Sequence, residues 1–511
     1  MELSQENTES AETRPLPTPA APYATMIPTM STAIDHLEPK AVWRHFAALA
    51  AIPRASEKEA AARNYVLALA GRLGLESVVD SAGNVVIRKP ARPGREAAVP
   101  AAIQGHLDMV CEKNEGTVHD FDTDPIRPVV DGDWLRAEGT TLGADNGVGV
   151  AAALAVMESD TVAHGALEFV FTIDEESGLT GASRFPGGLL KSKYFFNLDN
   201  EEEYTLCIGC AGGVNSVARR KIARRPAPSG EEWRIRISGL AGGHSGVDIH
   251  RGRGNAVRIL GQALLALVDR LPLAVADIKG GSKRNAIPRE AFAIVVLDSA
   301  YAPQLKSMLA AYEAEAQSAF GSFDPGLRIT VESAARPEQV IVDADAALIA
   351  GILAGQHHGV LAMSPDIPGL VQTSTNLATV ATSRDEVEIA TSQRSSIESS
   401  KRAAARMVAT VFRFAGFEVE QSGDYPGWKP EPTSDIVRKA EAVHQEVLGK
   451  KPELIAMHAG LECGVIGEKH PGMQMISFGP HIVDVHSPSE RIKISSVGPF
   501  YNLLTGLLER L

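Results

Sequence analysis

Between Pro39 and Ile52 the apolar positions Val42, Phe46, Leu49 and Ile52 recur at helical spacing. Ser56 followed by Glu59 reads as a capping box that opens a second helix, which stops near Gly74. The pattern then changes. Residues 98–104, 167–173 and 194–198 are short apolar runs, each ending in a polar cluster, and 148–157 is an apolar stretch of helix length. Strands apolar on both faces and alternating with helices predict an α/β domain, with a mixed, mainly parallel sheet covered by helices on both faces. In such sheets ligands collect at the carboxyl ends of the strands.

From about Gly213 the texture becomes one of alternating strands, at 233–237, 292–297, 327–331 and 386–390, with amphipathic helices between them. This predicts an inserted α+β domain over 214–424. The α/β domain then comprises 31–213 and 425–511, the last segment rejoining the first because it carries a histidine that the amino-terminal constellation lacks. Residues 1–30, rich in Pro, Ala, Thr and Glu, read as a disordered tail without the character of a secretory signal.

Composition narrows the class. A chain of 511 residues that is 44% hydrophobic can bury more than one core. A formal charge of -13 disfavours nucleic acid or an anionic membrane as the main partner and suits cations. No run approaches the roughly 20 apolar residues needed to span a bilayer. Four cysteines are too few for a disulfide framework, so a reducing, cytoplasmic location is expected. The Cys207-x-x-Cys210 pair reads as two ordinary strand-end cysteines, because structural zinc needs four ligands.

Five elements carry candidate chemistry. Gln104-Gly105-His106-Leu107-Asp108 follows a buried strand, and residues two apart in an extended chain share a face, so Asp108 can orient His106. Gly143-Ala144-Asp145-Asn146-Gly147 precedes the apolar helix and reads equally as a simple turn. Asp174-Glu175-Glu176 ends a strand, where adjacent carboxylates repel one another unless a cation or a proton intervenes. Asp199 follows the next strand, and His486 lies near the end of the chain. Each has an ordinary structural explanation. Together they form the mixed nitrogen and oxygen set that zinc prefers.

The ordered strings GHLDMV, GADNG, DEESG, NLDNEEE, HAGLECG and HSPSE resemble the dipeptidase branch of the di-zinc peptidase and deacylase family, from about Met30 to Leu511. The resemblance implies two divalent ions, zinc first and manganese or cobalt as alternatives. His106 and Asp199 would hold one, Glu176 and His486 the other, with Asp145 between them and a cis peptide at Asp145-Asn146. It further implies Glu175 as general base toward a metal-activated water, with Asp108 orienting His106. The inserted domain would be a lid of roughly 200 residues. In it His244 would stabilise the oxyanion, Asn285 and Arg394 would hold the substrate carboxylate, and Gly460 would offer a backbone contact. An Asp at position 199, rather than the Glu of many deacylases, favours small peptides with a free amino terminus, Xaa-His and related dipeptides. A tripeptidase or N-acyl amino acid deacylase, and a non-enzymatic metal- or peptide-binding protein, stand as alternatives. Both monomer and homodimer are compatible with such a lid.

Overall fold

The computed structural model describes residues 34–511. The expected tail at 1–30 lies outside the described residues. The chain divides into two compact units. The first comprises the described residues through Tyr204 together with Ala442–Lys451 and Ser477–Leu511, and the second comprises Thr205–Glu441 and Pro452–Ile476. This differs from a second domain confined to 214–424. The reason is a long-range pairing: Thr205–Cys210 and Glu453–Met457 run parallel, with Glu453 opposite Thr205, which ties the later segment to the second unit.

In the first unit the strands follow the hydrogen-bonded order Glu76–Val79, Val85–Lys89, Leu167–Thr172, Ala101–His106, Tyr194–Asn197. The last three are mutually parallel and buried along their whole length, whereas the outer two join antiparallel. The sheet is therefore mixed, and its parallel part carries the chemistry. A buried amide chain aligns the strand ends. Asn197 Nδ2 donates to Gln104 Oε1 at 2.6 Å, and Gln104 Nε2 donates to Thr172 Oγ1 at 3.1 Å. Unpaired amides at this depth would each cost about 1–3 kcal/mol, so the chain fixes the relative height of the three strands.

Helix Lys40–Ala50 turns Val42, Trp43, Phe46 and Leu49 inward, as the spacing predicts. Helix Ala144–Glu158 is apolar all round and almost wholly buried. The Ser56/Glu59 capping box does not form. Helix Ala60–Arg72 begins after Glu59 without a side-chain cap. Ser56 Oγ instead donates to Asp108 Oδ2 at 2.8 Å, and Glu59 Oε1 accepts from the backbone N–H of Asp174 at 3.0 Å. Both side chains serve the strand ends.

The second unit is built on an antiparallel sheet in the order Arg328–Ser333, Glu231–Ser238, Ala291–Leu297, Ala274–Gly280, Val371–Thr382, Glu386–Ser395, Gly212–Lys221, Glu418–Tyr425, with Gly359–Met363 beside Val371–Thr382. Helices Ala256–Val268, Ala302–Phe320, Asp343–Gly355 and Glu398–Phe414 bury Leu260, Leu264, Leu305, Ile349 and Phe412 in one core with Ile235, Val295 and Ile389 from the strands. Its α+β texture matches the alternation in the sequence. Among the described residues no helix is long and apolar enough to cross a membrane.

One glycine joins the fold of the first unit to its chemistry. A Cβ at Gly149 would lie 2.4 Å from the Leu198 carbonyl oxygen and 2.7 Å from Asn146 Oδ1. Gly149→Ala is expected to lower unfolding free energy by about 1–3 kcal/mol, the usual cost of overpacking. Urea denaturation checks this, and an unchanged midpoint would contradict the close approach.

Candidate metal centre

Three parallel strands end at one edge, and each delivers a donor there. Ala101–His106 ends in His106, Leu167–Thr172 leads into Glu175 and Glu176, and Tyr194–Asn197 leads into Asp199. Asp145 enters from the start of helix Ala144–Glu158, across a cis Asp145-Asn146 peptide, and Asn146 Nδ2 donates to the Leu198 carbonyl at 2.6 Å. His486 comes from the loop between the short strands Ile482–Val483 and Arg491–Lys493, which pair with each other, the second of them also pairing with Trp134–Ala137. All five side chains belong to the first unit.

Their geometry is organised around Asp145. Its Oδ1 lies 3.1 Å from His106 Nε2, and its Oδ2 lies 3.3 Å from His486 Nε2. His106 Nε2 is also 3.3 Å from Asp199 Oδ1, and His486 Nε2 is 3.0 Å from Glu176 Oε2. Two donor sets therefore share one carboxylate: His106, Asp199 and Asp145, and His486, Glu176 and Asp145. The other nitrogen of His106 lies 3.4 Å from Asp108 Oδ1. Asp108 is itself held by Ser56 and by the backbone N–H groups of Glu175 at 3.0 Å and Glu176 at 3.1 Å. Orienting carboxylates of this kind fix a ligand imidazole and raise its basicity.

The electrostatics describe a site built for cations. Burial would raise the Asp145 carboxyl, but hydrogen bonds with His106 and His486 hold it well below the ordinary range. Burial pushes Asp199 up to about 7 against the pull of His106, and the negative charges of Asp145 and Glu176 add to the rise. Glu201 rises to about 8, again mainly by burial, with Asp145 and Asp199 contributing. Burial opposes charge on His106, yet Asp199, Asp108 and Asp145 hold its imidazolium well above the usual value. His486 rises to about 11 through its hydrogen bonds with Asp145 and Glu176. Protons thus stand where the carboxylates require positive charge. Glu176 Oε1 is buried with no hydrogen-bond partner, and ligand atoms of His106, Asp145 and Glu176 lie within 4.8 Å of one another. The donor set and this orphaned oxygen fit divalent ions of the zinc class.

A neighbouring group, Glu59, Asp108 and Asp174, is equally tight but is bound up in hydrogen bonds from Ser56, Ser177 and backbone N–H groups. It supports the ligands. Burial raises the Cys210 thiol to about 11, which keeps it protonated and unreactive.

Within the second unit, Arg394 is buried, its Nη1 donates to Tyr425 Oη at 2.8 Å, and its Nε has no partner. Arg394 Nη2 lies 3.5 Å from His244 Nε2. His244 Nδ1 accepts from the N–H groups of Gly246 and Val247, so its proton sits on Nε2. Two donors therefore face one space. Burial, then Arg394, lowers His244 to about 4, so it is neutral near pH 7. Asn285 lines a recess of about 400 Å³ with Arg394, Tyr425, Lys283 and Arg284. Gly460 lies two residues beyond His458, whose carbonyl oxygen is 2.0 Å from where a Gly246 Cβ would stand.

The sequence reading missed several supporting residues. His458 is buried, with Nε2 2.8 Å from Ser374 Oγ and Nδ1 without a partner. Its position in the HAGLECG string was the only signal. Tyr425 stood in a loop-like DYPGW string. Arg54 and Glu490, both buried beneath the Asp145 loop, had no signal beyond the place of Glu490 four residues after His486.

Because metals take neutral imidazoles and ionised carboxylates, loading this centre must expel the protons that His106, His486 and Asp199 hold. Zinc titration calorimetry in two buffers of different ionisation enthalpy is expected to report release of about one proton or more per ion, with affinity rising as pH increases through 7. Uptake without proton release would contradict the assignment.

Residues 102–510 match the description peptidase family M20/M25/M40. The chain is 38% identical over 479 residues to the cytosol non-specific dipeptidase of Escherichia coli (strain K12), covering 94% of this chain and 99% of that protein. It is 40% identical to the solved aminoacylhistidine dipeptidase of Vibrio alginolyticus, with a TM-score of 0.87 over 94% of this chain and 98% of that one. The aminopeptidase PepT of Bacillus cereus shares the fold at 17% identity, with a TM-score of 0.54 over 93% and 98% of the two chains. With two overlapping sets of histidine and carboxylate donors at the strand ends and a family match across most of its length, the chain belongs to peptidase family M20/M25/M40.

Proposed function

We propose that this peptidase hydrolyses Xaa-His and related dipeptides with a free amino terminus, using two divalent ions, zinc first, and Glu175 as general base. The observation that carries this reading is the sharing of Asp145 between His106 and His486, each imidazole paired with a second carboxylate. Ions held there would polarise the peptide carbonyl and lower the pKa of the attacking water. Glu175, whose backbone N–H is tied to Asp108, stands beside ligand Glu176 at the strand end. It takes the proton of the attacking water and hands it to the leaving amine. Asp108 keeps His106 oriented throughout.

The second unit acts as the lid domain and contributes the substrate contacts. His244 Nε2–H and the Arg394 guanidinium point two donors at one space, an arrangement that a shared oxygen anion relieves. His244 is assigned to the oxyanion, Arg394 and Asn285 to the carboxyl terminus of the peptide, and Gly460 to a backbone contact with it. Tyr425 holds Arg394 in place, and Lys401 Nζ donates to the Tyr425 carbonyl at 2.6 Å. Asp199, in place of a longer Glu, favours a free amino group, and the two dipeptidase relatives support the same substrate class. The cytosolic name of the Escherichia coli relative accords with action in the cytoplasm.

Glu175→Gln is expected to retain its zinc and to lose hydrolysis by roughly 10²- to 10⁴-fold, as removal of a general base does. Metal analysis alongside Ala-His turnover checks both halves, and an unchanged rate would refute the role. Arg394→Ala is expected to cost about 2 kcal/mol or more, a fall of at least about 30-fold in kcat/KM, on peptides with a free carboxyl terminus. Carboxyl-terminal amides should be cleaved equally by both enzymes; an equal loss on both substrates would remove the assignment. Cleavage of N-acetyl-Ala-His in preference to Ala-His would replace the dipeptidase reading with a deacylase.

A further inference from the structure

Glu490 lies beneath the metal centre without touching it. The side chain is 2% exposed, and its two carboxylate oxygens accept four successive backbone N–H groups. Oε2 takes those of Leu142 at 2.7 Å and Gly143 at 2.9 Å, and Oε1 takes those of Ala144 at 2.8 Å and Asp145 at 3.2 Å. No helical or sheet ladder serves these four donors, so a single carboxylate satisfies the whole entry into helix Ala144–Glu158.

Arg54 completes the arrangement from the other side. It is also 2% exposed, and it spends its guanidinium on main-chain carbonyls: those of Leu107 at 3.0 Å, Asp108 at 2.8 Å and Gly143. Gly143 and Gly147 are held against it so closely that a Cβ at either would fall 2.5 or 2.7 Å from Arg54 Nη2. Arg54 thus joins the segment after His106 to the loop before Asp145, and Glu490 joins that loop to its own segment, which contains His486.

We infer that Glu490 is a positioning residue that sets the place of the bridging carboxylate, because its four backbone hydrogen bonds fix the Leu142–Asp145 loop relative to the segment that carries His486. The chemical reason is the narrow tolerance of a shared ligand. Asp145 must present one oxygen toward the His106 set and the other toward the His486 set, and a rotation of its backbone improves one set only at the expense of the other. A carboxylate suits the task because both oxygens only accept. A glutamine would turn an amide N–H₂ toward two backbone N–H groups and leave them unsatisfied in the interior.

The inference rests on the metal-dependent reading of the site, and its test separates the two. Wild type, Glu490→Gln and Glu490→Asp are freed of metal and melted. Zinc affinity is then measured by competition with a chromophoric chelator, and kcat and KM on Ala-His are determined at saturating zinc. Glu490→Gln is expected to bind at least one zinc about 10- to 100-fold more weakly, the usual effect of removing a partner that orients a ligand. Its kcat should fall with KM within about twofold, and Glu490→Asp, which keeps the acceptor pair on a shorter stem, should lie between. A lowered melting temperature with unchanged zinc affinity and kcat would overturn the inference, leaving Glu490 a prop for the fold. Should Glu490→Gln fail to fold, Glu490→Asp decides alone: weakened zinc binding upholds the inference and wild-type affinity overturns it. A wild type that binds no zinc would overturn the metal reading, and the inference with it.

Discussion

Like charges gathered at one edge of a sheet are the constraint from which the rest follows. Glu176, Asp199, Asp145 and Glu201 stand close enough for their charges to act on one another, two imidazoles hold protons among them, and burial removes the water that would otherwise screen them. Such a cluster is tolerable only with compensating positive charge. In the absence of metal that charge is borne by His106 and His486, whose protonation is favoured far beyond the ordinary imidazole range. Divalent ions satisfy the same demand with more charge in less space, which is why the donors are arranged as two sets about Asp145.

That demand explains features of the fold that would otherwise look incidental. The Gln104, Asn197 and Thr172 side chains align three parallel strands so that their ends present donors at one level. Asp108 gathers Ser56 and the N–H groups of Glu175 and Glu176, so one carboxylate both faces His106 and shapes the turn that carries Glu175. The second unit solves a complementary problem. There Arg394 and His458 are buried, each with a nitrogen that has no hydrogen-bond partner, and no carboxylate hydrogen-bonds to Arg394 among the described residues. The first unit is thus short of positive charge at its carboxylate cluster, and the second, taken by itself, presents donors suited to an anion.

Part of this was legible in the sequence because His106, Glu176 and Asp199 lie at or just after strand ends, and buried parallel strands announce themselves as short apolar runs. The strand-end rule drew attention to His106, the Asp174-Glu175-Glu176 run and Asp199, whereas the role of each residue, and the place of Asp145 and His486 among them, came from the family strings. The supporting residues were hidden for a definite reason. Glu490 and Arg54 act on backbone groups, which carry no residue identity, and their partners lie 345 or more and 53 or more positions away. Ser56 and Glu59 misled because Ser-x-x-Glu describes a helix cap as well as it describes two side chains recruited by Asp108 and Asp174. The second unit extends beyond 214–424 because the return of Glu453–Met457 to pair with Thr205–Cys210 is a contact across about 250 residues, beyond any local pattern.

Asp145 is placed to serve two cation positions, one with each imidazole. Anomalous scattering from crystals of the zinc-loaded protein, collected on either side of the zinc absorption edge, tests it directly. Two peaks are expected, one flanked by His106 and Asp199 and the other by Glu176 and His486, with an Asp145 oxygen directed to each. A single peak, or two peaks of which only one contacts Asp145, would contradict it.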